Sequence, residues 1–289
     1  MNESKEHTLD VPGAVLHYDV RSNDVSSEPV LLLIGSPMGA AGFVTLAGHF
    51  TDRTVVTYDP RGSERSRRTD GALQNTPDEH ADDLHRLIDA LDAGPVDIFA
   101  SSGGAVNGLV LAAQHPGQVR TLIAHEPPAA QELPDRVAAL AACADIHETY
   151  LRSGMGPAMA KFIAIVSHEG PVADDYADQP APDPATFGLP ADDDGSRDDA
   201  LLGLNMLTCT HHQHDFDALR AASTRIVVGV GAQSGELFAG RTARAVADRL
   251  GPPAVTFPGG HDGFLGGEYG QTGADPDGFA AKVREVLAG

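Results

Sequence analysis

The chain has 289 residues, 42% of them hydrophobic, enough to bury one large α/β domain or a core carrying an inserted segment. Its 41 acidic against 20 basic side chains leave a formal net charge of −21, which argues against nucleic acid or anionic membranes as partners, because both need a basic footprint. The stretch Met1 to Asp10 is polar and acidic with no apolar signal core, and no apolar run approaches spanning length. Cys143 and Cys209 form no CxxC pair, so a reduced cytoplasmic protein with two incidental thiols is expected. Abundant Ala, Gly, Asp, Arg and Pro suit a GC-rich bacterial genome.

Ala14 to Val20 alternates as an early strand does. Val30 to Ile34 is a continuous apolar run, suited to a strand buried on both faces of a parallel sheet, and it ends in Gly35-Ser36-Pro37-Met38-Gly39. A short helix is predicted over Phe43 to Phe50, and a second buried strand over Thr54 to Tyr58 ends in Asp59-Pro60-Arg61-Gly62-Ser63. Leu84, Leu87, Ile88 and Leu91 recur at the spacing of an amphipathic helix over Asp78 to Leu91. Val96 to Ala100 is the next strand, Gly104 to His115 the next helix, and Val119 to Ala124 another strand, followed by His125-Glu126-Pro127-Pro128. Strands alternating with helices at this spacing predict an α/β fold with a doubly wound, mostly parallel sheet.

The rhythm then breaks. Helical patterns dominate up to Ala218, over Pro134 to Leu151, Pro157 to Val166 and Ala200 to Cys209, around a Pro- and Asp-rich loop at about 170–199. Strand character resumes at Arg225 to Val230. A helix over Gly240 to Leu250, a strand over Ala254 to Phe257, the loop Gly259-Gly260-His261-Asp262-Gly263 and a helix over Asp277 to Leu287 complete the chain. The expected division is a core of 1–132 and 219–289 with an inserted helical cap at 133–218.

Ala100-Ser101-Ser102-Gly103-Gly104 joins a strand directly to a helix. Small residues are needed where the two backbones pass close together, in the pattern small-x-Ser-x-small. Centring it on Ser101 puts Phe99 at a flank; centring it on Ser102 puts Ala100 and Gly104 there, and both fit. Ser102 is therefore the candidate nucleophile. A serine hydroxyl needs a base, and His261, on a glycine-bracketed loop after a late strand, can reach the same sheet edge. The run His211-His212-Gln213-His214-Asp215 is a weak metal signal, since adjacent histidines at a helix end diverge and no second cluster accompanies them. Gly229-Val230-Gly231 misses dinucleotide-binding spacing, so neither metal nor cofactor is expected. Met155, Met159, Phe162, Met206 and Leu207 read as core of the helical segment, with some available to line an apolar pocket over Ser102.

Four elements together resemble the α/β-hydrolase superfamily: Leu31 to Pro37 its first buried strand and oxyanion turn, Tyr58 to Ser63 with Ser66 its Asp-x-Arg-Gly turn, Phe99 to Gly104 its nucleophile elbow, and Gly260-His261 its histidine loop. The resemblance implies backbone N–H groups of Ser36 and Gly103 as oxyanion donors. It departs from the family at Ala100, at Ile34 before Gly35, and above all after Val230, where family members often carry an Asp and this chain has Gly231-Ala232-Gln233-Ser234-Gly235-Glu236. The acid that orients His261 is therefore expected at Glu126, after the strand following the nucleophile helix, as in haloalkane dehalogenases. Glu236 is the alternative. A serine at the elbow disfavours dehalogenase and epoxide-hydrolase chemistry, which needs a carboxylate there.

The reading that follows is a cofactor-independent, carboxylesterase-like serine hydrolase acting through an acyl-enzyme on a moderately hydrophobic small-molecule ester, lactone, thioester or ketone. A non-hydrolytic lyase or cyclase on the same Ser/His scaffold is the alternative, and a catalytically silent ligand-binding protein a third. Monomer and homodimer both remain open.

Overall fold

A computed structural model describes residues 4–190, 192–270 and 275–289. Residues 1–3 of the polar amino-terminal stretch, residue 191 of the acidic loop and residues 271–274 of the core segment lie outside the described residues. Among the described residues nine strands form one sheet: β1 (Lys5–Val11), β2 (Ala14–Arg21), β3 (Leu31–Ile34), β4 (Val55–Asp59), β5 (Arg67–Arg68), β6 (Val96–Ser101), β7 (Val119–His125), β8 (Arg225–Gly231) and β9 (Val255–Phe257). Their order is β1-β2-β4-β3-β6-β7-β8-β9, with β5 paired to β2. All pairings from β4 to β9 are parallel, while β2 runs antiparallel to β1, β4 and β5.

Alternate residues along the buried strands enter two separate cores, as the pleat requires. Leu32, Ile34, Ile98, Ala100, Leu122 and Ala124 pack on one face against α2 (Pro77–Leu91) and α3 (Gly103–Gln114). Leu31, Leu33, Phe99 and Ile123 face the other way, toward the short α1 (Val44–Gly48) and the last helix of the chain. Thr76 opens α2 with a capping box closed by Glu79, and Pro77 supplies a preset φ at the first helical position.

Between β7 and β8 lie α4 (Arg136–Ser153), α5 (Met155–Val166), a π-helical turn (Ala200–Asn205) and α6 (Met206–Thr210). These share a core of their own, with Ala139, Ile146, Tyr150, Leu202 and Met206 packed together and Phe238 joining from α8 (Phe238–Leu250). The chain closes on α9 (Pro276–Ala288). No described helix is long and apolar enough to cross a membrane.

The structure adds to or differs from the sequence reading in three places. The polar stretch at the amino terminus is a strand: Lys5–Val11 pairs along its length with β2, from Lys5 against Val20 to Val11 against Ala14. Its side chains stay mostly exposed because it is an edge strand, where backbone pairing rather than burial holds the chain. The helix expected over Ala200 to Cys209 begins instead as a π turn, with the Asp199 carboxylate accepting from the amides of Leu201 and Leu202. Finally, α7 (Phe216–Ala221) runs across the expected boundary at 218/219 and belongs with the sheet core, because Phe216 and Leu219 bury their side chains there.

Candidate active site

Strand register brings the site together. Ser101 pairs with His125 across β6 and β7, and His125 pairs with Gly229 across β7 and β8, so Ser102 and Glu126 leave adjacent strands at the same level. Gly231 pairs with Phe257 on β9, and the loop carrying His261 begins just beyond. All four segments open at the carboxyl edge of the sheet. Strand order reverses around β3, whose neighbours are β4 and β6, and ligands of open α/β sheets bind outside such a switch point.

Ser102 sits between β6 and α3 with φ 56 and ψ −129, a conformation that L residues rarely adopt. Its amide donates to the His125 carbonyl at 3.0 Å, and its carbonyl accepts from Ala105 at 2.9 Å. Flanking glycines permit the turn. A Cβ at Gly103 would lie 2.6 Å from the Ser36 carbonyl oxygen, and one at Gly104 would lie 2.7 Å from that of Ile34. Gly103 is also the first residue of α3, where amides have no partner within the helix and the macrodipole favours negative charge. Ser36 is therefore backed directly against the start of that helix.

Glu126 is completely buried and has φ 49. One carboxylate oxygen, Oε1, accepts from the Gly231 amide at 2.8 Å; the other, Oε2, lies 2.7 Å from His261 Nδ1. Burial pushes the carboxyl up, but the bond from His261, the nearby histidine charges and the Ser234 hydroxyl outweigh it and lower its pKa to about 2. An ionised carboxylate is an acceptor only, so in the neutral ring it holds the proton on Nδ1 and leaves Nε2 as the acceptor. His261 itself is 45% exposed and lines the cavity described below.

Glu236 is placed elsewhere. Its side chain is 67% exposed and paired with Arg244 at 3.2 Å, because the turn after Gly231 carries it outward into solvent. Of the two carboxylates, Glu126, which accepts from the Gly231 amide, is the one that reaches His261.

Ser36, Ser102, Gly103, Glu126 and His261 all line one cavity of about 480 Å3. Its wall is largely apolar, with Phe162, Ile165, Leu201, Met206, Leu237 and Phe238 contributed by the helical segment and by α8. Of the residues singled out in the helical segment, Phe162 and Met206 reach this cavity, whereas Met155 is exposed and Met159 packs on the helical core. Cys143 and Cys209 also line it, and burial pushes each thiol up to about 12. Asp262 lies on the cavity wall beside His261.

The other motifs have structural roles. Asp59 accepts from the Ala40 amide and from Arg65, and Arg61 makes a bidentate bond to buried Asp83. The histidine run turns inward at His214, whose ring meets Phe216 at 5.9 Å, while Asp215 caps α7 through the Ala218 amide. Among the described residues no group of three or more His, Cys, Asp or Glu could hold a metal ion.

Comparison with known proteins agrees with this architecture. The family profile described as alpha/beta hydrolase fold matches residues 28–159. An uncharacterized hydrolase of Bacillus subtilis, YraK, is 33% identical over 263 residues, 89% of each chain. The chain belongs to the α/β-hydrolase family. Among solved structures, a thermophilic esterase from Thermogutta terrifontis aligns over 99% of this chain and 98% of its own with a TM-score of 0.66 at 20% identity. The proline iminopeptidase of Mycobacterium smegmatis covers 98% of both chains with a TM-score of 0.63 at 17% identity. At these identities the likeness is one of fold.

Three residues around the site escape a reading of the sequence. Gly231 anchors Glu126 by its amide, and a Cβ there would lie 2.8 Å from the Gly260 carbonyl, so the glycine also lets the histidine loop approach. Ser234, 2% exposed, adds the hydroxyl to Glu126. Asn205, at the end of the π turn, lines the cavity. The glycine after an apolar strand was a signal for the first. Nothing in the local pattern singles out the other two.

Proposed function

We propose that this protein is a cofactor-independent serine hydrolase in which Ser102 is the nucleophile, His261 the base and Glu126 the orienting acid. The observation that carries the reading is the 2.7 Å bond from buried Glu126 to His261, set on a cavity that Ser102 enters from a strained elbow. The Ser102 oxygen adds to a substrate carbonyl carbon as His261 Nε2 takes its proton. The carbonyl π electrons move to oxygen, and the amides of Ser36 and Gly103 receive that oxyanion. Collapse expels the leaving group, which takes the proton from His261, and water attacks the acyl-enzyme by the same route.

The wall chemistry supports an uncharged, moderately hydrophobic substrate. No Lys or Arg is among the described residues lining the cavity, and Glu126 and Asp262 give it negative character, which argues against an anionic acyl group. An ester, lactone, thioester or activated ketone with a short apolar chain suits about 480 Å3. In this reading the helical segment from about residue 133 through α6 forms a cap over the carboxyl edge.

A chain-length series of p-nitrophenyl esters with rapid acid quench tests the proposal. Turnover of short and medium chains, with acyl-Ser102 recovered from the quenched enzyme and no activity in Ser102→Ala, is expected. Ester turnover that persists in Ser102→Ala without any acyl-enzyme would remove the nucleophile role from Ser102, and no ester turnover at all would favour proton-transfer chemistry of the lyase or cyclase kind. Binding without turnover would make the protein a ligand carrier.

A further inference from the structure

A hydrogen-bonded chain runs from the buried core to the oxyanion turn through a residue that the mechanism above does not use. Asn205 ends the π-helical turn and is 2% exposed. Its Nδ2 donates back across the turn to the Ala200 carbonyl at 2.6 Å, which fixes the orientation of the amide and points Oδ1 the other way. That oxygen lies 2.7 Å from His80 Nε2 on α2 and 3.4 Å from the Ser36 hydroxyl. His80 is fully buried, and its Nδ1 has no hydrogen-bond partner among the described residues. Burial lowers its pKa to about 4, so the ring is neutral and carries its single proton on Nε2, facing the amide oxygen. His80 therefore donates to Asn205, and Ser36 Oγ donates to the same oxygen.

We infer that Asn205, held by His80, is a positioning residue for the oxyanion turn, acting through the Ser36 hydroxyl. The inference rests on the hydrolase reading of this site. The Ser36 side chain is tied at one end of the turn, while its carbonyl is backed against Gly103, where even a Cβ would come within 2.6 Å. Where Ser36 sits thus fixes the spacing of both proposed donors. The Ser36 bond is long, as catalytic bonds often are without substrate, and has room to tighten as charge builds on the oxyanion. The π turn supplies the reach: it presents Asn205 inward from the helical segment, so that segment contributes to transition-state geometry as well as to the cavity wall.

The test compares Ser36→Ala, Asn205→Ala, their double variant, His80→Gln and His80→Leu with wild type. The readouts are kcat and KM for p-nitrophenyl butyrate, the rate of fluorophosphonate labelling, and Tm. Ser36→Ala and Asn205→Ala are each expected to lower kcat and the labelling rate about 10-fold with KM within about twofold, the scale of a small misplacement of transition-state donors. Because both remove one bond, the double variant is expected to lose no more than the worse single variant. His80→Gln returns a donor near the Nε2 position and is expected to restore kcat to within about threefold, whereas His80→Leu falls with Asn205→Ala. Ser36→Ala removes one hydroxyl and keeps both buried partners, so it decides the matter if an Asn205 variant does not fold. Wild-type kcat in Ser36→Ala, multiplying losses in the double variant, or a fall in Tm with kcat unchanged would overturn the inference while leaving Ser102 chemistry intact. An unlabelled wild type that hydrolyses no ester would instead overturn the hydrolase reading, and this inference with it.

Discussion

Replacing Glu126 by Gln keeps the shape of the buried side chain and removes its charge. The Gly231 amide lies 2.8 Å from Oε1 and is a donor, so it will select the carbonyl end of the new amide. The NH2 group is then turned toward His261 Nδ1, 2.7 Å away in the wild type. Two donors cannot face each other there, so the imidazole must move its proton to Nε2. In that tautomer it presents N–H rather than a lone pair to Ser102 and cannot act as base. The imidazolium formed in the transition state also loses its buried counter-charge. Where a triad carboxylate has been replaced by its amide, the loss is about 10⁴-fold in kcat, ~5 kcal/mol at 1.36 kcal/mol per tenfold. KM should hold within a few fold, because the carboxylate acts on the base, and the retained Gly231 bond should keep the fold. Steady-state hydrolysis of p-nitrophenyl butyrate by Glu126→Gln, beside Glu236→Gln as a solvent-exposed control, gives the comparison. A loss below about tenfold in Glu126→Gln, or an equal loss in Glu236→Gln, would refute the role given to Glu126.

Gly104→Ala should destabilise by about 1–3 kcal/mol, the usual cost of overpacking, and reduce turnover. Its Cβ would meet only backbone, at 2.7 Å from the Ile34 oxygen and 2.8 Å from Gly35, whereas a Cβ at Gly48 meets nothing within 4 Å, so Gly48→Ala should leave urea stability within about 0.5 kcal/mol. Among the described residues neither ring nitrogen of His125 has a hydrogen-bond partner, and burial lowers its pKa to about 4 from an ordinary value near 6.5. The unfolded chain therefore binds the proton first, and stability, complete above pH 6.5, is lost as the pH falls toward 4. His125→Phe, placed among Phe99, Phe257 and Phe279, removes this contribution; its stability relative to wild type should be about 2 kcal/mol better at pH 5 than at pH 8, and equal differences at both pH values would count against it. Asp83→Asn should cost about 3–5 kcal/mol in urea unfolding by leaving the Arg61 guanidinium, 3% exposed, without its bidentate partner; a cost under about 1 kcal/mol would show the pair to be dispensable.

The central strands were legible because they are buried on both faces. Leu31 to Ile34 and Val55 to Tyr58 carry no polar alternation to confuse their reading, and all of these side chains but Thr57 are among the most enclosed apolar groups of the protein. The tight turn at Ser102 was legible from size, since Ala100 and Gly104 leave room around a central serine, and Ser102 has the positive φ of such a turn. The pairing of Glu126 with His261 was reachable only through family resemblance, because nothing local marks a strand-end carboxylate that bonds an imidazole 135 residues away. The amino-terminal strand was hidden because its side chains are solvated and its stability lies in backbone pairing with β2. Asn205 was hidden for a different reason. A π turn has no hydrophobic period of its own, and a partner 125 residues away in sequence leaves no trace in spacing.

The most direct measurement is the site of covalent labelling. Wild-type protein treated with a small fluorophosphonate should gain one adduct by intact mass, located by peptide mapping on Ser102, and the Ser102→Ala variant should gain none. An unlabelled wild type, an adduct on Ser101 or elsewhere, or equal labelling of Ser102→Ala would contradict the assignment of Ser102 as the nucleophile.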